Sequence, residues 1–276
     1  MGRGSARQRR KRSRRVRVAP PDVKMRGAAT RTTMLDLDIL QAMADEVNSG
    51  PEWCRPSNIW MELIYRQFEQ LQEHGVENFK RTVNQWFGTD ISDLVARKAV
   101  LESLLGSLVP TTLPNWDPNE IRDQEEARHF GVYLGLLWNI CERMDLEGEL
   151  ALLDEPSFGN PLNVHIGDKK ISIDLCKSFV EYREIVNNIG RPRGRVLEIG
   201  AGSGRLALVM GRLCPDIKYI IVDIPPALYI SQCHLESVFP GEVSKFARNQ
   251  SEEEIEYRIN NNRFVFITTN QLLKLY

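Results

Sequence analysis

The chain has 276 residues, 42% hydrophobic and 26% charged, with a net charge of −1. That length accommodates one large domain or two modest ones with a real core, and the composition is ordinary for a globular protein. Five scattered cysteines (Cys54, Cys141, Cys176, Cys214, Cys233) with no CxxC pair argue against a disulfide frame or a zinc site and for reduced thiols in a cytoplasmic protein, and no apolar run approaches the roughly 18 residues of a membrane span.

The near-zero charge hides an asymmetry. Residues 1–27 hold eleven Lys/Arg and one acid, Asp22, leaving 25 basic and 36 acidic residues elsewhere, a net of −11. The run Arg9-Arg10-Lys11-Arg12-Ser13-Arg14-Arg15 is the composition of a nucleic-acid contact or an address, but equally of a solvated tail. Met25 and Met34 both follow it and patterned sequence begins at Leu35, so residues 1–34 read as a basic disordered tail, or as sequence ahead of the true start. The twin arginines are not followed by an apolar segment, which excludes an export signal.

Residues 35–150 read as a helical domain. Leu35, Leu37, Ile39, Leu40 and Met43 space a first helix. Pro51 to Pro56 is a break, after which Ser57 or Asn58 caps a helix carrying Ile59, Trp60, Leu63, Ile64, Phe68 and Leu71 on one side, ended by Gly75. Further helices are expected from Val76 to Phe87, Asp93 to Leu108 and Glu120 to Arg143, the last the most apolar, with a proline-punctuated loop from Pro110 to Pro118. The aromatics Trp60, Phe68, Trp86, Phe87 and Trp138 are most simply core; helical spacing alone does not favour a sugar-stacking role for one of them. Residues 151–175 form a connector: a loop at Pro156 to Pro161, then Val164-His165-Ile166 and Ile171-Ser172-Ile173 as a hairpin around Gly167-Asp168-Lys169-Lys170. Asp174 or Ser178 caps a helix through Phe179, Tyr182, Ile185 and Val186, ended near Gly190.

Within residues 176–276 the chain turns to strand–turn–helix. Val196, Leu197 and Ile199 are a short β-prone run; Gly200, Gly202 and Gly204 follow at alternate positions; from Arg205 the apolar spacing is helical. Glycines permit a tight turn and let a ligand lie against the backbone, and a helix starting there points unpaired amides over the turn. The dinucleotide fingerprint wants its third glycine where Arg205 stands. Glu198, two residues before the first glycine, suits a ligand with a cationic end better than a pyrophosphate. A second strand, Lys218 to Asp223, ends in an acid nineteen residues after Gly204, placed for ribose hydroxyls. Pro225-Pro226 opens another helix, and Arg263 to Thr268 is a third strand.

Glu-x-Gly-x-Gly-x-Gly with the strand-end Asp resembles the cofactor signature of class I S-adenosylmethionine-dependent methyltransferases. More narrowly the chain resembles the sugar O-methyltransferase family of glycan-biosynthesis loci. The resemblance is carried by Pro56-Ser57-Asn58-Ile59-Trp60, Asn78 to Asn84, Gly159-Asn160-Pro161, Ile171 to Leu175, Glu181-Tyr182, Leu197 to Gly204 and Ile221 to Pro225, from about residue 50 onward. It implies an α/β fold, an N-terminal helical domain followed by an incomplete Rossmann-like domain holding strands one to three of seven. It also implies S-adenosylmethionine as cofactor and a sugar or glycan hydroxyl as acceptor. Glu198 with Gly200, Ala201, Gly202, Ser203 and Gly204 would hold the amino-acid end of the cofactor, Asp223 the ribose hydroxyls and Ile224 the adenine. Strand one is central in such a sheet and here its outer side lacks a partner, an edge that invites aggregation, so the sequence is expected to be a fragment of the full enzyme.

The residues do not assign a catalytic base. His165 and His234 are candidates by type, and Glu181-Tyr182 for the methyl end. No metal-ligand spacing is visible. Two other readings stay open: a non-catalytic interaction protein with a vestigial cofactor fold, and a methyltransferase acting on another small molecule. Nucleic acid as the substrate is disfavoured by the acidic body and by the lack of an aromatic amino-methylation motif.

Overall fold

A computed structural model of the chain describes residues 35–82 and 124–275. The basic tail, the end of the helix expected to Phe87, the helix expected at 93–108 and the loop at 110–118 lie outside those residues, as do Trp86 and Phe87.

Helix α1 (Leu37–Ser49) starts at Asp36, whose carboxylate accepts the Ile39 amide, and turns Leu40, Met43 and Val47 inward. Helix α2 (Asn58–His74) follows Ser57 and stops at Gly75, where φ is 76°. After a 3-10 turn comes the short α3 (Phe79–Thr82). Helix α4 (Gln124–Met144) buries Phe130, Leu134, Trp138 and Cys141 and leaves Val132 and Ile140 exposed, the one-sided pattern that its apolar spacing dictates.

The hairpin is shifted from its expected register. Strands β1 (Val164–Ile166) and β2 (Lys169–Ile171) pair antiparallel around a two-residue Gly167-Asp168 turn, so the second strand begins two residues earlier. The reason is Ser172. Rather than extending the strand, its hydroxyl accepts the Leu175 amide and caps α5 (Ile173–Ile189), a role expected of Asp174 or Ser178.

A parallel sheet follows: β3 (Gly194–Ile199), β4 (Ile217–Asp223), β5 (Val243–Ser244) and β6 (Phe264–Thr268), in spatial order β3-β4-β6-β5. Helices α6 (Arg205–Leu213), α7 (Ala227–Val238) and α8 (Glu252–Asn261) connect them, and α9 (Thr269–Leu272) follows β6. The two-residue β5 carries no strand signal of its own. It is held by Arg258 on α8, which donates to Ser244 Oγ and to the Ser244, Lys245 and Phe266 carbonyls.

Period-two alternation splits the sheet into two faces. Tyr219, Ile221, Phe264 and Phe266 join the main core with residues of α1, α2 and α4 to α7, each large apolar side chain worth about 1.5–3 kcal/mol of burial. Ile220, Val222, Val265 and Ile267 pack under Ile255 and Ile259 of α8. The second cover reaches β4 and β6 but not β3, where Leu197 and Ile199 are 39% and 66% exposed. Among the described residues no strand pairs with the outer edge of β3.

The helical segments share this core rather than forming their own. Glu46 of α1, buried, accepts from the Asn249 amide and from Asn270 Nδ2, and the Asp36 amide donates to Tyr229 of α7. Gly159 marks a second junction: its φ is 88°, and a Cβ there would lie 2.6 Å from Phe79 Cε1 and 2.9 Å from Lys80 Cγ. Gly159→Ala should therefore cost about 1–3 kcal/mol through combined backbone strain and overpacking, read as a lowered urea midpoint with unchanged slope.

Candidate functional site

The glycine turn and the end of β4 are built side by side because β3 and β4 pair in parallel, Ile199 opposite Val222, with the Gly200 amide donating to the Val222 carbonyl at 2.8 Å. Gly200, Gly202 and Gly204 have φ of 77°, 59° and 72°, a conformation that side chains rarely adopt. Nothing lies within 4 Å of where a Cβ on Gly200 would project. The turn thus opens a space that any other residue would begin to fill.

Asp223 closes the turn from the β4 side. Its Oδ2 accepts the Gly202 amide and its Oδ1 the Ile224 amide, both at 2.8 Å. Each oxygen retains a further lone pair for a ligand hydroxyl. Burial pushes its pKa up to about 6, against the pull of those two amides, with Glu198 adding to the rise.

A cleft open to solvent sits over the turn. One wall is Gly200, Gly202, Asp223, Ile224, Pro225 and Ala227; the other is Trp60, Leu63, Ile64 and Gln67 of α2. Of the expected cofactor residues, Gly200, Gly202, Asp223 and Ile224 meet here. Ala201 is buried behind the turn, Gly204 is the N-cap of α6, and Ser203 is buried with its carbonyl facing His234. Glu198 is not among the described lining residues; its Oε2 accepts the Tyr219 hydroxyl at 2.8 Å, and burial raises its pKa against the opposing pull of Tyr219 and Arg205.

The α2 wall is a correction to the sequence reading. Trp60 was expected in the core, but it is 49% exposed in the cleft. Residues 60, 63, 64 and 67 are one helical stripe, and a stripe looks the same whether it meets a core or a cavity. Trp138 and Phe68 do pack into or against the core.

The candidate bases separate as well. His165 is an exposed residue of β1. His234 is fully buried: its Nδ1 donates to the Ser203 carbonyl at 2.8 Å, and its ring meets Phe79 edge-on at 5.4 Å and stacks near Phe158 at 6.4 Å. Glu181 is engaged by Arg205 at 2.5 Å, and the buried Tyr182 donates to Glu149 at 2.7 Å. Neither histidine nor Tyr182 lines the cleft, and no group of three metal-binding side chains gathers among the described residues.

Beneath the turn lies a charge that sequence reasoning passed over. Lys80 of α3 is buried, 2.6 Å from Glu155 and 3.7 Å from Asp174. Burial alone would lower its pKa, but the two carboxylates outweigh it and hold the ammonium above its ordinary value. Ser172, the α5 cap, donates to the second oxygen of Glu155 at 2.5 Å. None of the cysteines forms a disulfide, and among the described residues no helix is long and apolar enough to cross a membrane. No family model, curated protein or solved structure matches the chain.

Burial, with the nearby Lys80 charge, pushes His234 down to about 3, the Ser203 carbonyl pulling the other way. The unfolded chain therefore takes up this proton first, and stability falls as pH drops below about 6.5, continuing toward about 3, by at most about 1.4 kcal/mol per pH unit. Replacing His234 by Gln should remove that slope, seen as a stability gap between the proteins that narrows between pH 6.5 and 4.

Proposed function

We propose that this protein is an S-adenosylmethionine-dependent O-methyltransferase with a sugar or glycan hydroxyl as acceptor, built on a class I, Rossmann-like cofactor half. The observation that carries the cofactor reading is the chemistry of the cleft. Its described lining holds one carboxylate, Asp223, and no Lys or Arg. A ribose diol finds an acceptor there and a sulfonium meets no positive charge. The open space at Gly200 and the positive φ of the turn fit a ligand resting on the backbone. The acceptor class rests on the sequence resemblance alone.

When bound, S-adenosylmethionine supplies a methyl group activated by its sulfonium for in-line transfer to a hydroxyl oxygen. The chain's own part is to bind and orient. Asp223, already fixed by two amides, accepts from the ribose hydroxyls. Glu198 offers a carboxylate near the start of the turn for the ammonium end. The acidic side chains of this region suit a cationic cofactor.

A non-catalytic protein that only binds this cofactor is the second reading, favoured by one observation: neither candidate histidine lines the cleft. Methyl transfer from labelled S-adenosylmethionine to a panel of sugars separates the two.

Binding of S-adenosylhomocysteine should be lost or weakened by about tenfold or more in Asp223→Ala, since a buried carboxylate accepting hydroxyl hydrogen bonds is worth about 1.5–3 kcal/mol. Unchanged affinity in calorimetry would overturn the assignment. The raised pKa adds a pH signature. If only the ionised carboxylate binds, affinity should be flat above pH 7 and fall roughly tenfold by pH 5, one unit below the value of about 6. Asp223→Asn should lose most of that dependence.

A further inference from the structure

Tyr219 occupies a position that an apolar residue could fill. It is fully buried on the core face of β4, which it shares with Ile217 and Ile221, and its ring centroid lies 6.3 Å from that of Phe264. A phenylalanine would bury the same ring. What the tyrosine adds is a hydroxyl, and a buried hydroxyl takes a partner. That partner is Glu198, whose Oε2 accepts at 2.8 Å.

The bond runs toward the glycine turn. In the ladder Tyr219 lies opposite Val196 and Glu198 opposite Ile221. The phenol therefore reaches one same-face step along the strands, to a carboxylate two residues before Gly200. The bond engages Oε2 and leaves Oε1 on a side chain that is only partly buried. Burial pushes the phenol up from its ordinary value and the carboxylate adds to the rise, so Tyr219 is a donor throughout the neutral range. A donor favours the ionised form of the carboxylate it meets. Burial acts on Glu198 in the opposite sense and raises its pKa; the Tyr219 bond and then the charge of Arg205 on α6 lower it, and Glu181 on α5 raises it. Asp223 at the end of β4 is the other charged group that Glu198 acts on. Arg205 directs its own bonds to Ser178 and Glu181. Among the described residues the direct bond to the Glu198 carboxylate is thus the one from Tyr219.

The core does not require this pair, because exchanging two hydrogen-bonded buried groups for apolar ones of the same shape is close to neutral for stability. A fixed and ionised carboxylate is what a cationic ligand group requires. We propose that Tyr219 is a positioning residue, whose hydroxyl sets the direction of the Glu198 carboxylate for the ammonium group of the cofactor's amino-acid end. This rests on the proposed cofactor. It assigns selectivity for a nucleoside that carries an amino acid to a core residue of β4, outside the glycine signature.

The test uses the full chain and two probes that share the nucleoside: S-adenosylhomocysteine, which carries the amino-acid end, and 5′-methylthioadenosine, which lacks it. Both are titrated calorimetrically into the unaltered protein, Tyr219→Phe, Glu198→Ala and the double variant. Near neutral pH, Tyr219→Phe should bind S-adenosylhomocysteine about three- to tenfold more weakly and 5′-methylthioadenosine within about twofold of the unaltered protein. In the Glu198→Ala background the same change should have no further effect, since the hydroxyl acts through the carboxylate. A pH series adds a signature that a structural defect does not produce. Without the donor, Glu198 takes up its proton at a higher pH, so the ratio of S-adenosylhomocysteine affinities, unaltered over Tyr219→Phe, should widen as the pH falls from about 8 toward 5. The Asp223 titration is common to both proteins and cancels in that ratio. Equal losses for the two probes, a further loss in the double variant or a ratio independent of pH would each overturn the inference. A loss in Glu198→Ala with none in Tyr219→Phe would overturn it and leave Glu198 as the partner of the ammonium. Unchanged affinity in Glu198→Ala would overturn it together with the role of Glu198, while the nucleoside reading stands on the binding of 5′-methylthioadenosine. No binding of either probe by the unaltered protein would overturn the cofactor reading and this inference with it.

Discussion

An ammonium group without water has to be neutralised by groups the fold can bring to it, and around Lys80 that requirement organises three segments at once. Glu155 comes from the connector, Asp174 from the first turn of α5, and Lys80 itself from the helical half. Removing one partner of such a pair leaves a buried charge uncompensated, at a cost of about 3–5 kcal/mol. The pair contributes fixed position more than net stability, because burying both ions was itself costly. Phe79, the neighbour of Lys80, lies against His234, and His234 holds the carbonyl of Ser203 in the glycine turn. A continuous chain of contacts thus links the helical half to the backbone that would carry the ligand.

The same linkage explains why the cleft has two unlike walls. The turn and the end of β4 supply backbone amides and a single carboxylate; α2 supplies an apolar stripe. Neither alone encloses anything. Asp223 already accepts the Gly202 and Ile224 amides on the turn side. Burial of the carboxylate at the end of β4 is the main physical cause of its raised pKa.

What the sequence disclosed was local. The junctions of the β3–turn–α6 passage were legible, with β3 ending at Ile199 and α6 starting at Arg205, because glycine spacing and the change of apolar period are properties of adjacent residues. The end of β4 at Asp223 was legible for the same reason. The hairpin register was missed because a serine hydroxyl capped a helix where alternation suggested more strand. Strand β5 was illegible because its pairing depends on Arg258, fourteen residues from Ser244. Trp60 was assigned to the core because helical spacing records that a face is apolar, not what lies opposite it. Lys80 gave no signal, since only the folded arrangement reveals that its carboxylates come from residues 155 and 174.

The sheet itself carries an asymmetry that bears on the site. Glu198 and Gly200 are positioned by β3, which is paired through β4 and, among the described residues, on that side alone. One ladder fixes the register of the turn against Asp223, because a slip of one residue would exchange Val196 and Glu198 for Leu197 and Ile199 on the core face. It does less to fix the strand against bending away from the sheet, since α8 covers Val222 but leaves Ile199, its partner in the ladder, exposed. The contacts that hold the turn therefore come from the other face: Tyr219 on Glu198, His234 on Ser203, and Arg205 tied to Glu181 and Ser178 of α5. These polar bonds fall within eight residues of one another along the turn. They stabilise its geometry where the sheet cannot, from the buried His234 to the partly exposed Arg205–Glu181 pair.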